Sequence, residues 1–518
     1  MRIAAIGSPD LSRGRMTGAR IAKARWIEAV GRAEGVQHLD CFLPSIVEPQ
    51  VFGVDARTTL PIEYLPGAIR DGRYDIVHNC LSSTRFDKVM AMCDADGLDA
   101  PVASCVHYAL SYSDVIDSGV QLLLSGVGLR NRIVCPTKAA RAAYLELLSS
   151  TRERLSAAGV VSELPRASSF VVIPFGVDQH AFAPGSKSVA RRRLRLPRSA
   201  VVGLHVARLT PFDKADWELM VWIVARVRKR CPDFMAVVAG ADALGFETTL
   251  RNLARRGGVA DGLRLLPNIG HDALRLLYQA SDMFFLCGDG VQETQGLVVL
   301  EAMASGLPIV APDWDGYRDM ITPECGTLVD TAMYGGTAPF DIDGQLGDGS
   351  SMNVGLRQMV WIDREAFAAA LVELALSPER RRAQGGAARS RVLAEFTEDQ
   401  MVARYLEMWR AAASERGTAD GRRLRAWPEM ARCFAVAYPT RALYDDAQVV
   451  ASGDASVASA QGIRHIYNDT FARQLLQRLS GPHSIGELVS LYQADHSAAM
   501  VRVHVLALLK AGAIRLHS

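Results

Sequence analysis

The sequence predicts an α/β protein of two doubly wound, Rossmann-like halves facing a cleft, followed by a small C-terminal α+β piece. Three observations carry this reading. Buried-looking strand runs alternate with helix-period segments at βαβ intervals. The alternation stops and restarts around Phe182 to Pro197. A chain of 518 residues also exceeds what one core supports at about 150 residues per domain. The expected boundaries are 1–182 for the first half, 195–395 for the second, 396–415 for a helix crossing back, 416–439 for a linker and 440–518 for the last piece.

The first half opens with "RIAAIG", a buried strand ending on Gly7, and "MTGARIAKARWIEAVGRA", which has the apolar spacing of an amphipathic helix. Further strands are expected at "DIVHNC", "PVASCVH", "RIVCPT" and "SFVVIP", with a helix over "KAARAAYLELLSSTRERLSAAG". The basic run Arg191 to Arg198 reads as a solvated linker. The second half starts with the strand "AVVGLHVA", then the helix "DWELMVWIVARVRKR" and the strands "FMAVVAG", "LRLLPN" and "DMFFLC". After "PIVAP", the stretch "YGGTAPFDIDGQLGDGSSMNVG" has no apolar period and reads as a surface insertion.

Composition narrows the function. The 58 Lys+Arg nearly balance 56 Asp+Glu, so no global field points to nucleic acid or an anionic membrane. Nine scattered cysteines without a C-x-x-C pair fit neither a disulfide framework nor a structural zinc site, and a reducing cytoplasm is the expected location. No transmembrane segment or export signal is expected from the apolar runs.

The informative stretch is "GVQETQGLVVLEAMASGLPIVAPDWDG". It follows a buried strand and starts a helix near Gly296, whose first N–H groups, at Gly296, Leu297 and Val298, can hold a diphosphate. Glu301 lies four residues past Leu297, about 6 Å further along the same face at 1.5 Å per residue, a reach that suits a ribose. Glu293, before the glycine, would face the group at the far end of the diphosphate. By spacing alone both glutamates are ordinary solvated residues.

In that context the sequence resembles a retaining glycosyltransferase of the GT-B fold, in the large GT4-like group that includes sucrose synthases and bacterial mannosyltransferases. The E-x7-E motif matches Glu293 to Glu301, "VIPFGVDQHAFAP" resembles the family's hinge segment, and "HVARLTPFDKADW" its "GRL...KG" segment. The resemblance implies that Arg208 and Lys214 hold the donor diphosphate. It places His107, at the end of "PVASCV", against the transferred sugar, and makes Gly14 the nearest match to a glycine loop after the first strand. Backbone groups around Ile269 are expected to meet the base. The implied co-substrate is a nucleotide-sugar, UDP-, GDP- or ADP-linked, with no metal and no other cofactor. "DID" at Asp341 to Asp343 reads as a polar loop rather than a metal site.

After residue 440, "QVVASGDASVASAQGIRHIYN" predicts two short strands around a Gly-Asp turn. Helices over "DTFARQLLQRL", "SIGELVSLYQ" and "SAAMVRVHVLALLKAG" and a last strand "AIRL" complete the piece. Ser484 with Glu487 forms a capping box. The pattern resembles a winged helix-turn-helix, and in particular the PqqD-like domain that recognises leader peptides, which implies β-augmentation by a peptide. A structural or dimerising role is the alternative. DNA binding is disfavoured because the last helix offers only Arg502, His504 and Lys510. The acceptor stays open among peptide, protein, saccharide and lipid, as does a binding protein without turnover.

Overall fold

The computed structural model describes residues 1–7, 18–43, 50–51, 58–80, 86–108, 113–160, 164–211, 214–291, 293–335, 354–415, 443–452, 468–510 and 513–517. Gly14, the "DID" triplet and the 416–439 linker lie outside them.

The first unit is built on strands β1 (Arg2–Ile6), β2 (His38–Leu43), β3 (Gln50–Val51), β4 (Thr58–Pro61), β5 (Ile76–Asn79), β6 (Val102–Val106), β7 (Arg132–Cys135) and β8 (Phe170–Val172). They order as β3-β4-β2-β1-β5-β6-β7-β8, parallel throughout except for the β3/β4 edge pair. Helices cover such a sheet on both faces, so its strands read as continuous apolar runs. β2 escapes that signature because Asp40 interrupts it. The carboxylate is buried, and its Oδ2 is met by Tyr74 Oη at 2.6 Å and His38 Nε2 at 2.7 Å.

The second unit carries β9 (Val201–Val206), β10 (Phe234–Gly240), β11 (Leu263–Pro267), β12 (Met283–Phe285), β13 (Ile309–Pro312) and β14 (Gly326–Val329), all parallel in the order β11-β10-β9-β12-β13-β14. The crossing from β9 to both β10 and β12 is a topological switch point, where such sheets bind ligands at the strands' carboxyl ends. The basic run before it is not a linker, although its Arg192, Arg193, Arg195 and Arg198 are exposed as expected. Lys187–Leu194 is a helix, and Arg191 is buried, donating to the Ala280 and Arg198 carbonyls and pairing with Asp282 at 2.6 Å. Residues ahead of 195 therefore already belong to the second unit. Arg191 went unread because a buried guanidinium with a full set of acceptors has the same local sequence as a solvated one.

The chain then crosses back. Helices Arg364–Leu376 and Pro378–Glu395 break at Ser377, whose hydroxyl caps the second one. Helix Glu398–Ser414 starts on a Thr397/Gln400 capping box and returns to the first unit. There Trp409, wholly buried, meets Trp26 and Tyr405 edge-on or tilted, and its indole donates to Ser104 Oγ at 2.9 Å. Each such aromatic burial is worth about 1.5–3 kcal/mol, so the crossover holds the first unit firmly. The hinge needs Gly176, since a Cβ there would stand 2.5 Å from the Glu398 Cα.

The described residues from 443 onward form a separate core around Phe471, Leu475, Leu488, Val501, Val505 and Ile514. Helices Asp469–Arg478, Ile485–Tyr492 and Ala498–Lys510 pack beside a three-stranded antiparallel sheet with strand Gln448–Ala451 at its centre. The Ser484/Glu487 capping box is formed. The second strand expected after the Gly-Asp turn falls on residues outside the described ones. Arg502 is bound to Asp445 at 2.6 Å, and His504 is buried, accepting from the Asn468 N–H at 2.7 Å.

Candidate functional site

The carboxyl ends of β9, β10 and β12 carry the residues expected to bind a phosphate. Gly240 closes β10 so near the Ala207 carbonyl that a Cβ would lie 1.8 Å from its oxygen, and the chain can pass there only as glycine. Arg208 follows directly after Ala207 and Lys214 stands six residues on. The loop between them is anchored by Arg357, which no local pattern marks. This buried guanidinium donates to the Pro211 and Ala215 carbonyls at 2.9 and 2.7 Å and pairs with buried Asp289 at 3.0 Å. Burial pushes the Asp289 carboxyl up to about 6 even against the pull of Arg357.

After β12 the chain runs through Gly288 to Gly296, the N-cap of helix Leu297–Ala304. Gly296 has φ +86, and a Cβ on it would meet the Tyr317 ring at 2.8 Å, so conformation and space both require glycine. Leu297 packs against the cores of both units, which sets this helix start at their boundary. Two side chains that sequence reasoning passed over fix the loop. Thr294 Oγ1 donates to the Tyr108 carbonyl at 2.8 Å, and its own carbonyl accepts from Thr137 Oγ1 at 2.8 Å. Buried Gln295 clasps the Phe175 backbone, accepting at 2.7 Å and donating at 3.2 Å. Glu293 is thereby held at the cleft and pairs with Lys214 at 2.8 Å, both partly exposed.

Glu301 sits on the same helix as expected, but deeper. Its carboxylate is buried, with one oxygen taking the Tyr278 hydroxyl at 3.0 Å and the other Arg25 of the first unit at 2.9 Å. Arg25 lies over the Phe182 ring and keeps its Nη1 buried and unpartnered. A ribose at Glu301 would share that carboxylate with Arg25. Nothing in "RIAKARW" distinguishes this arginine, since its partner lies 276 positions away.

His107 follows β6, and its ring is buried against Tyr144 at 4.2 Å. Both ring nitrogens and the Tyr144 hydroxyl lack a partner, as does Tyr317 Oη, which lies beside Gly288. Burial holds His107 neutral, its pKa lowered to about 4. Ile269 lies between Asn268, in the left-handed region at φ +54, and Gly270, the N-cap of helix His271–Ala280. Asn268 Oδ1 accepts from the Asp242 N–H at 2.8 Å and shapes that loop.

Asp315, left-handed at φ +45, is the remaining unforeseen residue. Burial, then Glu293 beside it, raises its carboxyl to about 7. Its folded pKa exceeds the unfolded value near 4, so the native state holds an extra proton between those pH values and loses stability as pH rises through them. Asp315→Asn keeps a residue that tolerates positive φ and removes the ionisation. Thermal melts should show the variant gaining stability over the parent between pH 5 and 7, with the gain level above that. A gain independent of pH would contradict this.

Residues 200–334 match the family "Glycosyl transferases group 1". A D-inositol 3-phosphate glycosyltransferase of Stackebrandtia nassauensis is 38% identical over 166 residues, 30% of this chain and 36% of the relative. Another from Thermobispora bispora is 28% identical over 288 residues, 52% of this chain and 63% of the relative. The chain thus spans about a third of the length of the first relatives it matches and under two thirds of the longer match. Among solved structures, sucrose-phosphate synthase of Thermosynechococcus elongatus superimposes with a TM-score of 0.56 at 18% identity, covering 79% of this chain and 98% of that one. Anabaena HepE in complex with UDP gives 0.54 at 14% identity, covering 79% and 100%. The two Rossmann-like units have the GT-B fold of these structures. No helix among the described residues is long and apolar enough to cross a membrane.

Proposed function

We propose that this chain is a retaining, metal-independent glycosyltransferase that uses a nucleotide-sugar. The observation that carries the reading is the Lys214–Glu293 pair held beside a glycine-capped helix start at the boundary of the two units. In this reading Arg208, Lys214 and the N–H groups at Gly296, Leu297 and Val298 take the diphosphate, Glu301 the ribose, and the backbone at Ile269 the base. Glu293 and His107 meet the sugar. The acceptor oxygen bonds to the anomeric carbon on the face the diphosphate leaves. The carbon–oxygen bond to the phosphate breaks, its electron pair stays on the phosphate, and that oxygen takes the hydroxyl proton. Two cations and a helix N-terminus stabilise the charge that builds there, a role a metal otherwise fills. The C-terminal unit serves in this reading as a tether for an acceptor borne on a peptide or protein, raising its concentration at the cleft.

Calorimetric titration with UDP, GDP and ADP tests the donor site. Binding of one of them supports the reading, and binding of none overturns it. Glu301→Ala should weaken that nucleotide by about 1–3 kcal/mol, the worth of a charged hydrogen-bond partner. It should also lower the melting temperature, because Arg25 and Tyr278 lose their shared acceptor. Unchanged nucleotide affinity would remove Glu301 from the ribose.

A further inference from the structure

Past the donor loop the cleft continues into a cavity of about 480 Å³. Ala140 and Ala143, on the first unit's helix Lys138–Ala157, form one wall, and the second unit supplies the other. Thr294 lines the cavity, so it opens directly beside Glu293. Its polar lining is unbalanced. Asp313, Asp315 and Asp330 face a single guanidinium, Arg318, and Arg318 is already paired with Asp313 at 2.8 and 3.2 Å.

The helix N-terminus at residue 138 would otherwise favour an anion here. It is neutralised instead: the Asp319 carboxylate accepts from the Lys138 and Ala139 N–H groups, and Thr137 Oγ1 accepts from Ala140 at 3.1 Å. The cavity also has flat apolar surface. The Trp314 indole N–H is spent on the Gly290 carbonyl at 3.1 Å, leaving the ring as wall. Strand Val360–Ile362 pairs Trp361 with Ala332 of the lining. The Trp314 indole beside carboxylates suits a compact polyhydroxylated group whose C–H face stacks while its polar edge is bound.

We propose that this cavity takes the acceptor, and that the acceptor carries its nucleophilic hydroxyl next to a protonated amine. The inference rests on the sugar-transfer reading above, and the transfer step is the one written there. An ammonium group donates a charge-assisted hydrogen bond to the Asp330 carboxylate, whereas a phosphate meets carboxylates and a guanidinium already engaged. The same chemistry is offered by an aminated cyclitol or sugar and by a hydroxyl residue next to lysine in a peptide.

The full-length protein, with whichever nucleotide-sugar it hydrolyses, tests this. One arm compares streptamine, scyllo-inositol and inositol phosphate as acceptors, and the other compares Ser-Lys with Ser-Glu peptides. The expected result is kcat/KM at least about tenfold higher for the ammonium-bearing member of one arm, the effect of one charged hydrogen bond. The responding arm identifies the source. Asp330→Asn, on an exposed residue, should erase that preference by raising KM for the amine acceptor and not for its neutral counterpart. Equal use of the neutral or phosphorylated acceptor, or no transfer to either amine while donor hydrolysis proceeds, overturns the inference and leaves the donor reading intact. Absence of both nucleotide binding and donor hydrolysis overturns the donor reading itself.

Discussion

Arg357→Ala is expected to cost about 3–5 kcal/mol of stability, because it strands the buried Asp289 carboxylate without its partner. The carboxyl already sits at about 6 with the guanidinium beside it. Without Arg357 it protonates more readily, so the variant's deficit should be larger at pH 8 than at pH 5. The same arginine ties the Pro211 and Ala215 carbonyls on either side of Lys214. Nucleotide affinity should therefore fall with stability, although Arg357 itself is not proposed to touch a ligand. Urea melts at the two pH values, with nucleotide titration of the folded variant, provide the check. A loss below about 1 kcal/mol would place the pair among surface ion pairs of little worth. Replacing both partners by apolar residues should recover much of the stability, because no buried charge is then left unpaired.

Glu293→Gln should lower turnover about 10²- to 10³-fold, the usual effect of losing one group aimed at developing charge. Free nucleotide affinity should hold or tighten, because the Lys214 ammonium loses the carboxylate that occupies it and becomes fully available to phosphate. A second readout comes from Asp315. Glu293 helps push that carboxyl up, so its titration should move down in the variant. Loss of nucleotide affinity equal to the loss of turnover would mean that Glu293 supports the phosphate loop rather than the sugar.

The alternation of strands and helices was legible because parallel sheets demand uninterrupted apolar runs, as at Met283–Phe285 and Ile309–Pro312. β2 was not, since Asp40, held through its Oδ2 by Tyr74 and His38, breaks its run. The helix start at Gly296 was readable because Gly296 and the residues after it are local in the chain and glycine at a left-handed N-cap has a physical cause. Arg25, Gln295 and Arg357 were unreadable for the opposite reason. Their partners Glu301, Phe175 and Asp289 lie 276, 120 and 68 positions away, and no local periodicity encodes such a contact. The Arg191 run misled because burial of a charge depends on acceptors supplied by distant segments, here Ala280 and Asp282.

The most direct test of the account is release of free nucleoside diphosphate from a panel of nucleotide-sugars, measured for the parent and Glu293→Gln under identical conditions. The account predicts slow release from one donor by the parent and a drop of about 10²-fold or more in the variant, with the nucleotide still bound. Release at equal rates by both proteins, or from no donor at all, would contradict it.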